Sequence, residues 1–239
     1  IEGIRRAVKR NKEDGFILGE VWKNPMRMNR GYIESGCGMD SVMNYQLVNA
    51  LIRYYKYADC DGLKETVEAL LNEYPKETLL SLMNFTSTHD MTRGINLWDQ
   101  FIFNYCGRWA WSLNNEDHKW AQSYKLTPEQ YEEAKKVYQA YVFFLTFYPG
   151  ILSIFAGDEM GVQGIGNLDN RKPMPWDNPD VQLQEFFKDI INVDYTKEME
   201  DDLDKIADGN LVWTELLSRF YTEFEPKVKE AFSNMEKKA

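Results

Sequence analysis

The strongest constraint on this chain is a pattern repeated four times. A short apolar run ends in polar residues, and a helix-like stretch follows. The first run is Phe16-Ile17-Leu18-Gly19, leading into Glu20-Val21-Trp22. The second is Met39 to Tyr45 (MDSVMNY). The third is Leu79 to Phe85 (LLSLMNF), leading into Thr86-Ser87-Thr88-His89-Asp90. The fourth is Ile151 to Phe155 (ILSIF), followed at once by Gly157-Asp158-Glu159. Continuous apolar runs of this length suit strands buried on both faces, as in parallel sheets. Strands are therefore expected over 16–21, 39–43, 79–85 and 151–155.

The stretches between them carry helical signals. Ile1, Ile4 and Val8 share one face of an amphipathic segment over 1–14, and Gly15 ends it. Tyr45 to Tyr57 and residues 63–73 have helical periods. Thr127-Pro128-Glu129-Gln130 reads as a capping box with Pro at the first helical position, and Pro149-Gly150 ends the helix after Phe147. The fold class is α/β. In a (β/α)8 barrel the site lies at the C-terminal ends of the strands, and a doubly wound sheet places ligands at the same end. Four strands cannot close a barrel of eight.

Composition excludes several classes. The 239 residues are 44% hydrophobic and 14% aromatic, enough for a sizeable core. No run of about 18 apolar residues is present, so no membrane span is expected. A net charge of −10 argues against a nucleic-acid surface over the whole chain. Two His and three Cys, without Cys-x-x-Cys or His-x-x-x-His spacing, argue against zinc. Cys37, Cys60 and Cys106 form no disulfide framework, which points to reduced thiols and a cytoplasmic setting. The chain opens at Ile1 inside a helical pattern, with no signal peptide and no initiator Met, so the visible start is not expected to be a natural one. From Glu185 onward 14 acidic and 8 basic residues give a net −6 in the last 55 residues. A boundary is accordingly set between 1–184 and an acidic helical tail, 185–239. The tail helices are expected at Lys197–Ala207, Leu211–Glu223 and Pro226–Lys238, packed through Leu203, Ile206, Leu211, Trp213, Leu216, Leu217, Phe220 and Phe224.

Glu20 ends one strand beside Trp22, and His89-Asp90 ends another. A carboxylate beside an aromatic ring suits a general acid with a raised pKa. Taken singly, Glu20 also reads as a solvated strand-end residue and His89 as a hydrogen-bonded structural one. Retaining glycoside cleavage needs a proton donor and a carboxylate nucleophile about 5–5.5 Å apart, and strand-end Glu, His and Asp with Trp platforms are the materials for it. Trp98, Trp109, Trp111 and Trp120 fit either sugar stacking or core.

Five blocks resemble glycoside hydrolase family 13, the α-amylase family, most closely its neopullulanase and cyclomaltodextrinase-like members. They are FILGEVW (16–22), MDSVMNY (39–45), NFTSTHDMTR (84–93), PGILSIFAGDEMG (149–161) and DNRKPMPWD (169–177). The resemblance implies a retaining enzyme acting on α-1,4/α-1,6-glucans or maltooligosaccharides, seen as strands five to eight of the barrel. It implies Glu20 as general acid/base and Asp90 as the carboxylate that holds sugar hydroxyls and stabilises the transition state. His89 and Arg171 would contact the sugar, and Trp22 would stack on the leaving-group side. Asn167-Leu168 stands where the family carries Asp-Pro. The family's nucleophile, an Asp in a Gly-x-Arg-x-Asp pattern, occurs nowhere in these 239 residues. Calcium is common in the family, but no complete acidic site is evident, and no cofactor is expected. Residues 190–239 are similar instead to an internal stretch of bacterial type IA DNA topoisomerase I, without its metal-binding module or catalytic Tyr, so Tyr195 and Tyr221 take no such role. A chimera is implied. Three functions compete: a glycosidase half-barrel inactive alone, a non-catalytic sugar-binding fragment, and a DNA-handling protein, against which the tail's charge argues. Open strand edges would favour self-association or a partner supplying the first half of the barrel.

Overall fold

A computed structural model describes residues 1–28, 32–33, 38–99 and 115–191, with the side chains of 115–118 and 167–168 left out. The chain divides into compact units Ile1–Asp194 and Tyr195–Ala239, and every described residue lies in the first. The tail helices, the 190–239 resemblance beyond Ile191, Trp109, Trp111, Cys37 and Cys106 lie outside the described residues.

Four strands follow the expected rhythm, each shorter than its apolar run. They are β1 (Leu18–Gly19), β2 (Ser41–Val42), β3 (Met83–Phe85) and β4 (Ile151–Ser153). β1 pairs parallel with β2, Leu18 opposite Ser41, and β3 pairs parallel with β4, Met83 opposite Ile151. A parallel bridge between Met43 and Met83 joins the two ladders. The order across the described strands is thus β1-β2-β3-β4, all parallel. At the bridge the Asn44 amide donates to Asn84 Oδ1 at 2.9 Å, so two fully buried polar side chains satisfy each other.

The helices are α1 (Glu2–Asn11), α2 (Tyr45–Tyr57), α3 (Cys60–Glu73), α4 (Lys76–Leu80), α5 (Gly94–Leu97), α6 (Asn115–Ser123), α7 (Pro128–Phe147), α8 (Gly166–Asp169) and α9 (Val181–Ile191). The Thr127/Gln130 capping box forms with both of its hydrogen bonds, and α7 ends at Phe147. At Gly150 the backbone turns with φ +132, a conformation open to glycine and strained for other residues. The expected strand over 79–85 is corrected: its first two residues belong to α4. Pro75 enters α4 in an extended conformation, Glu77 sits in the first turn, and Thr78 and Leu79 point inward. A short apolar run is compatible with either period, and here burial of Leu79 from a helix wins.

The core lies between strands and helices. Leu47, Val48 and Ile52 of α2, Val67 and Leu70 of α3, Leu82 just before β3 and Phe85 within it are buried. Tyr138, Tyr141, Val142 and Leu145 of α7 and Leu183, Phe186 and Phe187 of α9 cover the β4 side. Tyr141 donates to the Phe85 carbonyl at 2.6 Å, which fixes α7 to β3. Among the described residues no helix is long and apolar enough to cross a membrane.

Candidate active site

Because all four strands run the same way, residues that follow them gather at one end. Glu20 follows β1 directly and is exposed. Tyr45, first residue of α2, reaches across from the end of β2. Its hydroxyl donates to Glu20 Oε1 at 3.1 Å and lies 3.4 Å from Thr88 Oγ1. Trp22 stacks on the Tyr45 ring, with centroids 4.3 Å apart and planes 13° from parallel. Gln46 holds the Trp22 carbonyl at 2.9 Å. Phe85 meets the Tyr45 ring edge-on at 4.8 Å. The phenol is therefore clamped between rings while its oxygen faces the site. Burial pushes the Tyr45 phenol above its ordinary value, and the Glu20 and Asp90 charges push it the same way. It acts as a neutral hydrogen-bond donor.

The loop after β3 carries the second cluster. Thr88 Oγ1 accepts from the Asp90 amide at 3.2 Å, so one hydroxyl links Tyr45 to the Asp90 backbone. Asp90 Oδ2 lies 3.3 Å from His89 Nε2, and Asp90 Oδ1 accepts from Arg171 Nη2 at 3.1 Å. Arg171 Nε also donates to the His89 carbonyl at 3.1 Å. His89 and Arg171 are about half exposed and Asp90 about one-third, so the cluster opens to solvent. The structure thus brings His89, Asp90 and Arg171 into contact, and brings Glu20 and Trp22 to the same end through Tyr45.

Beneath this cluster lies a buried layer. Asp158 accepts from Thr86 Oγ1 at 2.8 Å, Ser87 Oγ at 2.5 Å and Arg93 Nη1 at 3.2 Å. Burial pushes the Asp158 carboxyl up, opposed by Arg93 and the two hydroxyls. Arg93 also donates to the carbonyls of Ala156 at 2.7 Å and Asn170 at 2.6 Å, with its guanidinium 4.1 Å from the Phe155 ring centre. Glu159 accepts from the Gly157 amide at 2.8 Å within its own turn. Asp158 and Glu159 are thus held in structural contacts. Trp98 is buried against Tyr55 and Tyr141 and belongs to the core. Trp120 lies tilted against Tyr124. Among the described residues no group of three or more His, Cys, Asp or Glu side chains could hold a metal ion.

Sequence reasoning missed Tyr45, Thr88, Arg93 and Asn170 as parts of this arrangement. Arg93 carried a faint signal, a cation just past a buried strand end. Tyr45 carried none beyond its place in the second block.

Strand order and site geometry describe one sector of a parallel α/β fold with its polar groups at the strand ends. Residues 1–211 match the family model for the α-amylase catalytic domain, and the chain belongs to that family. It is 29% identical over 189 residues to a cyclomaltodextrinase of Geobacillus thermopakistaniensis, covering 78% of this chain and 26% of that protein. It is 28% identical over 196 residues to neopullulanase 2 of Thermoactinomyces vulgaris, covering 80% and 27%. A solved cyclomaltodextrinase structure superposes with a TM-score of 0.57 at 24% identity, over 80% of this chain and 27% of that one. The fold is of the (β/α)8 barrel type. The chain spans about a quarter of the length of these relatives.

Proposed function

We propose that these residues are strands five to eight of an α-amylase-type barrel and carry the acid/base half of a retaining site for α-1,4/α-1,6-glucans. The observation that supports this most is the link from Glu20 through the Tyr45 hydroxyl and Thr88 to Asp90. It ties the Glu20 carboxylate to the Asp90 backbone at one end of the parallel strands. In this reading Glu20 donates a proton to the glycosidic oxygen and then accepts one from water. Asp90, with His89 and Arg171, holds ring hydroxyls as the sugar flattens, and Trp22 offers a face to the leaving-group sugar. The proton cycle needs a nucleophile on the other face of the sugar. With Asp90 committed to Arg171 and His89, that nucleophile must come from strands outside this sequence, on this polypeptide or a partner. For residues 190–239 the topoisomerase-like reading stands beside the α-amylase match, which covers them up to 211, and it brings no DNA-cleaving group. The thiols suit a reducing compartment.

A reducing-sugar assay tests the proposal. The 239-residue chain alone should not turn over maltoheptaose or cyclodextrin. Joined to the first barrel half of a neopullulanase, it should do so, and Glu20→Gln should then cost about 10³-fold or more in kcat. Turnover by the chain alone that vanishes in Glu20→Gln would overturn the account of the nucleophile. Full activity of Glu20→Gln in the joined protein would overturn the role of Glu20. A second reading, a non-catalytic sugar-binding fragment, is favoured by the missing Gly-x-Arg-x-Asp pattern. It predicts maltooligosaccharide binding without turnover in both forms.

A further inference from the structure

The contacts of Asn170 are unlike those of an ordinary loop residue. It is fully buried. Its side-chain amide donates to the Thr88 carbonyl at 3.0 Å and also to the Met91 carbonyl. Those carbonyls bracket His89 and Asp90. Its own carbonyl accepts from Arg93 Nε, and Arg93 is pinned in turn by Asp158 and the Ala156 carbonyl. The next residue, Arg171, turns outward and holds the His89 carbonyl and the Asp90 carboxylate. Adjacent residues therefore grip one short loop segment from below and from above.

We infer that Asn170 is a positioning residue: it fixes the backbone on both sides of His89-Asp90 and so sets where Arg171 meets the Asp90 carboxylate. The inference rests on the reading of Asp90 as the glucan-holding carboxylate, and adds what aims it. Asn170 Oδ1 is buried without a hydrogen-bond partner. The side chain thus makes two donor bonds at the cost of an unpaired acceptor. Arg93 and Asp158 form the anchor. Both side chains are sealed from water.

The test reads Arg171 itself. In a nitrogen-15 spectrum of the full chain, the Arg171 Nε–H peak is assigned by its loss in Arg171→Lys. In the wild type it should lie away from the free-arginine position, because it donates to a carbonyl. In Asn170→Ala, and less completely in Asn170→Ser, it should move to the free position and exchange with water about tenfold faster, while backbone amides of α2 and α3 keep their shifts. Asn24→Ala, a polar change at the start of a distant turn, should leave the peak in place. An unmoved Arg171 peak in folded Asn170→Ala would overturn the inference. Loss of the fold in both variants would overturn it too, since Asn170 would then be a folding residue. Neither readout involves sugar or turnover, so failure of the glucan reading would show separately in the activity assay.

Discussion

Tyr45 shows how a single hydroxyl can organise a site. Its ring is buried between Trp22 and Phe85, and only the oxygen reaches Glu20 and Thr88. Tyr45→Phe should keep the packing and lose the hydrogen bonds, costing about 1 kcal/mol in a urea titration. In the protein completed by the other barrel half, it should lower kcat more than it raises KM, because Glu20 loses its fixed donor. Glu20, His89 and Asp90 were legible because each follows an apolar run. Trp22 and Arg171 were legible through the blocks that contain them. Tyr45, Thr88 and Asn170 were not, because their partners lie 25, 43 and 82 positions away. No local period records such contacts.

At the scale of elements, the sequence was readable where a helix carries its own punctuation. Residues Tyr45–Tyr57 and Pro128–Phe147 form helices with the bounds that period and caps imply. Strand ends and α4 were not readable, since a few apolar residues fit either period until the neighbours choose. The docking of α1 is a further tertiary choice, made by Asp40. Its carboxylate accepts from Arg5 at 2.7 Å, from Lys9 at 3.1 Å and from the Ile17 amide at 2.8 Å. Burial raises the Asp40 carboxyl, but these bonds outweigh it and hold it below the usual range. A carboxyl depressed in the folded state adds stability that is present above its unfolded value, about 4, and is lost as pH falls through the folded value. The melting difference between wild type and Asp40→Asn should therefore be full near neutrality and smaller in acid, as the pH falls through the depressed folded value. Hydrogen exchange should show α1 loosening first. An equal difference at both pH values would contradict this.

At the scale of the molecule, the described strands leave two outer edges, on β1 and β4, with Phe16, Leu18 and Ile151 exposed beside them. Unpaired backbone next to exposed apolar side chains favours association. Light scattering on the 239-residue chain at micromolar concentration should give a mass above that of one copy. Ile151→Lys should reduce it by placing a charge at the β4 edge. A compact monomer that binds no hydrophobic dye would mean the edges are already covered.

The buried contact between Arg93 and Asp158 also bears on how the sequence can drift. Their side chains are 2% and 0% exposed. Losing either partner alone strands a charge away from water, at about 3–5 kcal/mol, and replacing both removes the charges but leaves the Ala156 and Asn170 carbonyls and the Thr86 and Ser87 hydroxyls without these partners. Arg93→Met and the double change with Asp158→Leu should both lower the urea midpoint, the single change through a buried, unpaired carboxylate. Over evolutionary time the two positions, 65 apart along the chain, should behave as one inherited character, exchanged together or not at all.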